Sequence, residues 1–303
     1  MSSRIFRDTA GRRTLESWYE RFLSRVRAPV SHREVPTAHG PSHVLCVGDP
    51  ALPPLLCLHG ALASSAHAAT ELGPLAERFH VLLPDLPGQS VRGPEVRLPV
   101  KTDAYARWVL QVLDCLGLAS VDVYGISWGG FVALQTARVA PARVRRLVLL
   151  VPAGVVSGPV WAGLTQLAIP LMLYRSFPSE ARLRRFLQAL VTTPDDAWAA
   201  YLGDAARIFV PDLRPPPLVT AEQLRGFQVP TLVVGAEKDL SFPGPRLLAR
   251  AKELIPHARV ELIPECRHIP PMTDAFRDWM AGHVTGFLAP AGPEQSGSRV
   301  RSA

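Results

Sequence analysis

A serine flanked by two glycines has the setting in this sequence that most clearly indicates chemistry. Residues 121–130 read VDVYGISWGG, so an apolar strand runs through the pattern G-x-S-x-G into small and apolar residues typical of a helix. A serine on a sharp strand-to-helix turn holds its Oγ clear of the sheet, and the helix N-terminus beyond it favours negative charge. Gly125 and Gly129 let neighbouring backbone pass without a Cβ clash. We therefore interpret Ser127 as a nucleophile, because an ordinary helix N-cap would not require both glycines.

The segments around Ser127 alternate between strand and helix signals. Apolar runs such as LVLLV at 147–151 are typical of strands buried on both faces of a parallel sheet. The alternation predicts an α/β fold, with a mostly parallel central sheet flanked by helices. The predicted strands are 32–38, 43–47, 55–58, 80–83, 121–124, 147–151, 231–234 and 260–263. The predicted helices are 65–78, one that starts near 103, 129–139, 245–254 and 274–288.

The alternation lapses after the sixth strand. Residues 153–228 are helix-rich and interrupted by prolines, including three in succession at 215–217, which predicts a helical cap over the carboxyl edge of the sheet. The predicted organisation is an N-terminal helical extension, a core in two pieces, this cap and a disordered tail. Their ranges are 1–31, then 32–152 with 229–288, then 153–228, and finally 289–303.

Two segments raise the question of a membrane. The N-terminal helix has an apolar stripe from Leu15 to Val26, with Thr14 as its expected N-cap, and we interpret it as packing on the core, with a membrane-surface role as the alternative. Residues 147–174 carry no charge, but prolines and glycines interrupt them, so no stable membrane span is predicted. Trp161 and Phe177 are interpreted as core packing, with pocket lining as the alternative.

Composition excludes several classes of function. The chain has 33 basic and 26 acidic residues, but only three lysines and no basic stripe interleaved with aromatic residues, so no nucleic-acid partner is predicted. The four cysteines form no CxxC pattern and no HExxH occurs, so neither a metal nor a cofactor is predicted. Widely spaced cysteines and a first segment without a signal-peptide core predict a cytoplasmic protein. The sequence does not indicate the oligomeric state.

The order of the motifs resembles the α/β-hydrolase fold family over residues 32–288. The run LHGA at 58–61 is similar to the His-Gly pair that this family places after an early central strand. The resemblance implies an oxyanion hole formed by the backbone amides of Ala61 and Trp128. The run PDLPGQS at 84–90 resembles the family's D-x-P-G-x-G-x-S turn, although its second glycine is missing or displaced.

The same resemblance implies the partners of the serine. Asp239 ends the run GAEKD after the strand at 231–234, where the family places its acid, and Glu237 and Glu265 are its competitors. His268 follows the last strand, where the family places its base. The family usually has glycine before this histidine, and this chain has Arg267. The order serine, acid, histidine is the one expected for this fold.

These residues predict a serine hydrolase that cleaves a carboxylic ester or related acyl bond of a small hydrophobic substrate through an acyl-enzyme. A C–C bond hydrolase, a thioesterase or a lactonase on the same three residues are alternatives, because fold and triad do not separate them. A further alternative is a ligand-binding receptor that keeps the scaffold without catalysis. The resemblance disfavours dehalogenase and epoxide hydrolase chemistry, for which members of the fold use aspartate at the position of Ser127.

Overall fold

A single eight-stranded sheet organises the part of the chain that is described. The structure, a computed structural model, describes residues 4–193, 195–212 and 214–289. The strand order is β1-β2-β4-β3-β5-β6-β7-β8, and β2 is antiparallel to both of its neighbours while the other pairs are parallel. The strands are β1 Val30–Thr37, β2 Gly40–Val47, β3 Pro54–Leu58, β4 His80–Pro84, β5 Val121–Ile126, β6 Val144–Leu150, β7 Thr231–Ala236 and β8 Arg259–Ile263. The predicted mostly parallel sheet is therefore confirmed.

Helices cover both faces of this sheet. On one face α3, α4 and α9 enclose an apolar cluster that includes Trp108, Val123 and Leu149, and on the other α2 and α10 enclose one that includes Tyr124 and Met280. Burial on both faces explains why the central strands are apolar at successive positions. The helices are α1 Thr9–Leu23, α2 Ser65–Glu71, α3 Ala104–Cys115, α4 Trp128–Val139, α5 Val160–Gly163, α6 Ile169–Ser176, α7 Glu180–Leu187, α8 Asp196–Ile208, α9 Gly244–Leu254 and α10 Asp274–Leu288.

The N-terminal helix is part of the folded core. Helix α1 packs against α2 and α8, and the stripe of Trp18, Tyr19 and Phe22 is buried there, which confirms the packing interpretation. Its predicted N-cap was wrong. The helix begins earlier, because the Asp8 carboxylate accepts a hydrogen bond from the Gly11 amide, while the Thr14 hydroxyl donates to Ala10 O within the helix.

Helices α5 to α8 lie between β6 and β7 and are called here the α5–α8 segment. A π-helical turn, Leu164–Ala168, connects α5 to α6. Trp161 is 77% exposed and Phe177 is 62% exposed, so their interpretation as core packing was wrong. Among the described helices none is long and apolar enough to cross a membrane. The predicted tail lies, from residue 290 onward, outside the described residues.

Candidate active site

Ser127 lies on a strained turn between β5 and α4. Its backbone φ of 51° and ψ of −110° are unusual for a residue with a side chain, and its hydroxyl makes no capping bond to the helix. The Ser127 amide donates to Leu150 O at 2.9 Å, and Ser127 O accepts from the Ala153 amide at 3.0 Å. A Cβ added at Gly129 would lie 2.0 Å from Leu58 O. The turn therefore requires glycine at that position, and it points the serine hydroxyl away from the helix it begins.

Ser127, His268 and Asp239 form a hydrogen-bonded chain. Ser127 Oγ lies 3.0 Å from His268 Nε2, and His268 Nδ1 lies 2.8 Å from Asp239 Oδ2. The other carboxylate oxygen, Asp239 Oδ1, accepts from the backbone amides of residues 241 and 242 at 2.7 and 3.1 Å. Because the carboxylate can only accept, Nδ1 carries a proton and Nε2 is free to accept one from the serine.

The competing acids lie elsewhere. Glu237 Oε2 accepts from the Glu265 amide at 2.8 Å, and the Glu265 carboxylate pairs with Lys238. Both glutamates are exposed, whereas Asp239 is only 2% exposed. The geometry thus places Asp239, and neither glutamate, against His268.

The charges of Asp239 and His268 shift the pKa of each other. Burial alone would lower the pKa of His268, but the charge of Asp239 and the hydrogen bond to it raise the pKa above its ordinary value. Burial alone would raise the pKa of Asp239, but the charge of His268 and hydrogen bonds from its ring and from the backbone lower the pKa below the ordinary range. The arrangement favours an aspartate anion beside an imidazole that binds a proton more readily than usual.

The segment 59–61 lies against the serine. A Cβ added at Gly60 would be 3.6 Å from Ser127 Cβ, and Ala61 and Trp128 line the same cavity as Ser127. Trp128 is the first residue of α4, so its amide points out of the helix end without an intrahelical acceptor. His59 holds the turn, since its Nδ1 donates to Gly60 O at 2.7 Å and its Nε2 accepts from the Leu86 amide at 3.0 Å. Burial lowers the pKa of His59, in keeping with a neutral structural histidine.

The α5–α8 segment positions the loop that carries His268, a relation that sequence reasoning missed. Thr192 Oγ1 accepts from the Arg267 amide at 2.8 Å and donates to Ile269 O at 2.8 Å. One hydroxyl therefore bonds to the backbone on both sides of His268. The Tyr201 hydroxyl donates to Leu62 O, next to the segment beside Ser127. These contacts join residues far apart in the chain, so no local pattern could have indicated them.

A cavity of about 460 Å³ lies over Ser127 and His268. Its lining is mainly apolar and comes from both the sheet and the α5–α8 segment, which contributes Leu171, Phe186, Trp198 and Leu202 among others. A pocket of this size and character suits a small hydrophobic molecule. The Arg267 side chain lines a different, polar pocket, so the residue that replaces the family's glycine is not part of this cavity's lining.

A buried carboxylate at Asp85 organises the turn after β4. It accepts hydrogen bonds from His43 Nδ1 at 2.7 Å, from the amide and hydroxyl of Ser65 at 2.8 and 2.7 Å, and from the Ser90 hydroxyl. Burial alone would raise the pKa of Asp85, but these bonds and the neighbouring histidines lower its pKa to about 2. Tyr19 of α1 joins the same network through Ser65 Oγ at 3.0 Å. The network is structural, and it explains the serine at position 90.

Comparisons with known proteins indicate the family to which the chain belongs. The model of the α/β hydrolase fold family matches residues 53–188. The chain is 31% identical over 259 residues to a 2-hydroxymuconate semialdehyde hydrolase of Pseudomonas putida, covering 78% of this chain and 88% of that protein. It is 26% identical over 247 residues to carboxylesterase YbfK of Bacillus subtilis strain 168, covering 78% and 80%. The crystal structure of a naproxen esterase from Bacillus subtilis aligns with a TM-score of 0.77 at 22% identity, covering 91% of this chain and 97% of that one.

The fold and these matches define the class: the chain belongs to the α/β-hydrolase fold family. It is a hydrolase.

Proposed function

We propose that the protein is a serine hydrolase that cleaves a carboxylic ester or related acyl bond of a small hydrophobic substrate through an acyl-enzyme. The observation that carries the proposal is the hydrogen-bonded chain of Ser127, His268 and Asp239 on the floor of an apolar cavity. The match to a Bacillus subtilis carboxylesterase supports an ester as the substrate. The cytoplasmic location stays a prediction from the sequence.

The geometry supports the following steps. His268 Nε2 takes the proton from Ser127 Oγ while Oγ attacks the carbonyl carbon, and the amides of Ala61 and Trp128 stabilise the resulting oxyanion. His268 then gives its proton to the leaving alcohol oxygen, which departs and leaves the acyl group on Ser127. A water molecule attacks this acyl-enzyme with His268 again taking the proton. The bond between the carbonyl carbon and Ser127 Oγ then breaks, His268 returns the proton to Oγ, and the acid is released. Asp239 holds the imidazole in the required tautomer and stabilises the imidazolium.

Residues 153–228 act as the cap in this proposal. The α5–α8 segment supplies part of the apolar wall that the acyl or alcohol group contacts, while the three reacting residues come from the core. The core thus performs the chemistry, and the cap selects the molecule on which it acts.

Cleavage of a C–C bond is the second candidate. It is favoured by the 31% identity to a protein named 2-hydroxymuconate semialdehyde hydrolase, which covers most of both chains. The same serine, histidine and aspartate would serve either reaction, so the distinction must come from the substrate.

The first test is hydrolysis of a p-nitrophenyl ester series, from acetate to laurate, by the wild type and Ser127→Ala. We expect turnover by the wild type and a loss of about four to six orders of magnitude in the variant. The chain-length optimum measures how much of the cavity the acyl group fills. Folded Ser127→Ala protein with undiminished turnover would contradict the proposal.

Two further outcomes separate the alternatives. Absence of ester turnover together with Ser127-dependent cleavage of a 2-hydroxy-6-oxo-dienoate would favour C–C bond hydrolysis. Absence of Ser127 labelling by a fluorophosphonate in folded protein would favour a non-catalytic receptor, because a serine without an activating base reacts slowly.

A further inference from the structure

Exposed large apolar side chains are concentrated in one short stretch of the chain. Seven of the eleven found in the described residues lie between positions 160 and 177. Scattered exposed apolar residues are ordinary, whereas a contiguous group marks a surface that contacts another apolar phase. The seven, called here the apolar face, are Val160, Trp161, Leu164, Ile169, Met172, Leu173 and Phe177.

The apolar face is not an incompletely buried part of the core. Helix α6 already has a buried side, on which Tyr174 is 6% exposed and Leu171 and Arg175 line the cavity over Ser127. Helix α6 also packs against α7. The α6 residues of the apolar face, Ile169, Met172 and Leu173, therefore lie on a second side of this helix.

Positive charge borders the apolar face. Residues 147–174 carry no charge, and residues 175–188 then contain four arginines and one glutamate. The Arg182 guanidinium lies over the Phe177 ring, 5.8 Å from its centroid, and donates to Phe177 O at 2.9 Å. Glu180, the acid of this stretch, pairs with Arg184. Arg182 and Arg185 have no carboxylate partner among the described residues, so they are available to an external anion.

A cationic pocket of about 290 Å³ lies beside the apolar face. Gln166, from the π-helical turn within the face, lines it together with Arg185, Lys238 and Arg267. Lys238 pairs with Glu265, whereas in the described part of the chain no carboxylate contacts either guanidinium. Guanidinium groups bind phosphate oxygens in pairs of parallel hydrogen bonds, so the pocket suits a phosphate group.

We propose that residues 160–188 dock the protein on a membrane surface that contains anionic phospholipid. The apolar face enters the boundary between headgroups and acyl chains, Arg182 and Arg185 lie at the headgroups, and the cationic pocket takes a lipid phosphate. An apolar helical face bordered by arginines is the combination that binds such a surface. Since α6 also lines the cavity, lipophilic substrates reach Ser127 from the bilayer. The docking does not depend on which bond the enzyme cleaves.

Co-flotation of the full chain with vesicles tests the docking. We use phosphatidylcholine vesicles with and without phosphatidylglycerol, and expect binding that is stronger with the anionic lipid and weakened by salt. The variant Trp161→Gln with Phe177→Gln should lower the partition coefficient by about tenfold or more. Trp279→Gln, on α10 and outside the face, is the matched control and should bind as the wild type does.

A second pair of variants tests the arginines. Arg182→Gln with Arg185→Gln should weaken binding to anionic vesicles by about tenfold or more and weaken binding to neutral vesicles much less. Arg225→Gln with Arg246→Gln removes two other exposed arginines and should have no such effect.

Activity and oligomeric state complete the test. Both apolar positions are exposed, so Trp161→Gln with Phe177→Gln should hydrolyse a short soluble ester as the wild type does. This readout keeps a failure of docking separate from a failure of the proposed function. Wild-type protein that does not float with anionic vesicles would overturn the docking. A wild-type dimer that this variant converts to a monomer, without vesicle binding, would instead assign the apolar face to a second copy of the chain.

Discussion

The sheet core and the α5–α8 segment contribute to one cavity in different ways. Strands β5, β6, β7 and β8 are neighbours and parallel, so the residues that follow β5, β7 and β8 meet at one edge. Ser127, Asp239 and His268 therefore come together through strand register. The α5–α8 segment contributes apolar walls, and it contacts the reactive loops through Thr192 and Tyr201.

The two regions also differ in what their apolar residues do. In the core these residues are buried at successive positions of the strands, whereas seven of them are exposed between residues 160 and 177. We infer that catalysis and stability constrain the sequence of the core, whereas substrate access and contact with other surfaces constrain the sequence of the α5–α8 segment. Changes in the core should accordingly have the larger effects.

After Ser127→Ala, the largest effect should follow from Asp239→Asn. An amide at this position favours the wrong imidazole tautomer and cannot stabilise the imidazolium, so kcat should fall by about 10³ to 10⁴, the scale known for the equivalent change in serine proteases. Glu237→Gln, at an exposed acid two residues away, is the control and should change kcat little. Equal losses in both variants would break the assignment of Asp239.

The pH dependence of kcat/KM tests the same assignment of Asp239. His268 acts as a base when neutral, so kcat/KM should rise with pH through the pKa of His268, which Asp239 raises above its ordinary value. In Asp239→Asn the residual activity should rise at a lower pH. A rise at the same pH in both proteins would mean that another group titrates.

An intermediate effect, on stability, should follow from Asp85→Asn. The change leaves several buried donors without their charged acceptor, and we expect a loss of roughly 3 kcal/mol in the free energy of unfolding by urea. The pKa of Asp85 is lowered to about 2, so its contribution is complete above about pH 4 and is lost as the pH falls toward 2. In Asp85→Asn, the free energy of unfolding should lack this part of its dependence on pH. Ser90→Ala, which removes one donor, should cost about 1 kcal/mol.

The smallest effect should follow from Thr192→Val, in the α5–α8 segment. Losing the hydroxyl that spans His268 should lower kcat by about tenfold with little change in KM, because the histidine is less well oriented while the cavity wall is kept. Thr192→Ser should restore kcat, and the exposed neighbour Thr193→Val is the matched control. A change in KM alone would instead make Thr192 a part of the binding wall.

Much of the core could be read from the sequence because its signals are local. The predicted strand at 55–58 corresponds to β3, Pro54–Leu58, and the predicted helix at 274–288 to α10, Asp274–Leu288. The role of the glycines around Ser127 could be predicted from the sequence, because the strand-to-helix turn leaves no room for a Cβ at Gly129. Such constraints act between residues close in the chain or in adjacent strands.

The sequence by itself determined the alternation of strands and helices, the strained serine and the order of the three reacting residues, since periodicity and turn chemistry depend on neighbours. Only the tertiary structure decided that the stripe of α1 is buried while Trp161 and Phe177 are exposed, because an apolar residue is buried only where another element packs on it. It also decided the place of Thr192 across His268, a contact made when the α5–α8 segment folds back onto the sheet.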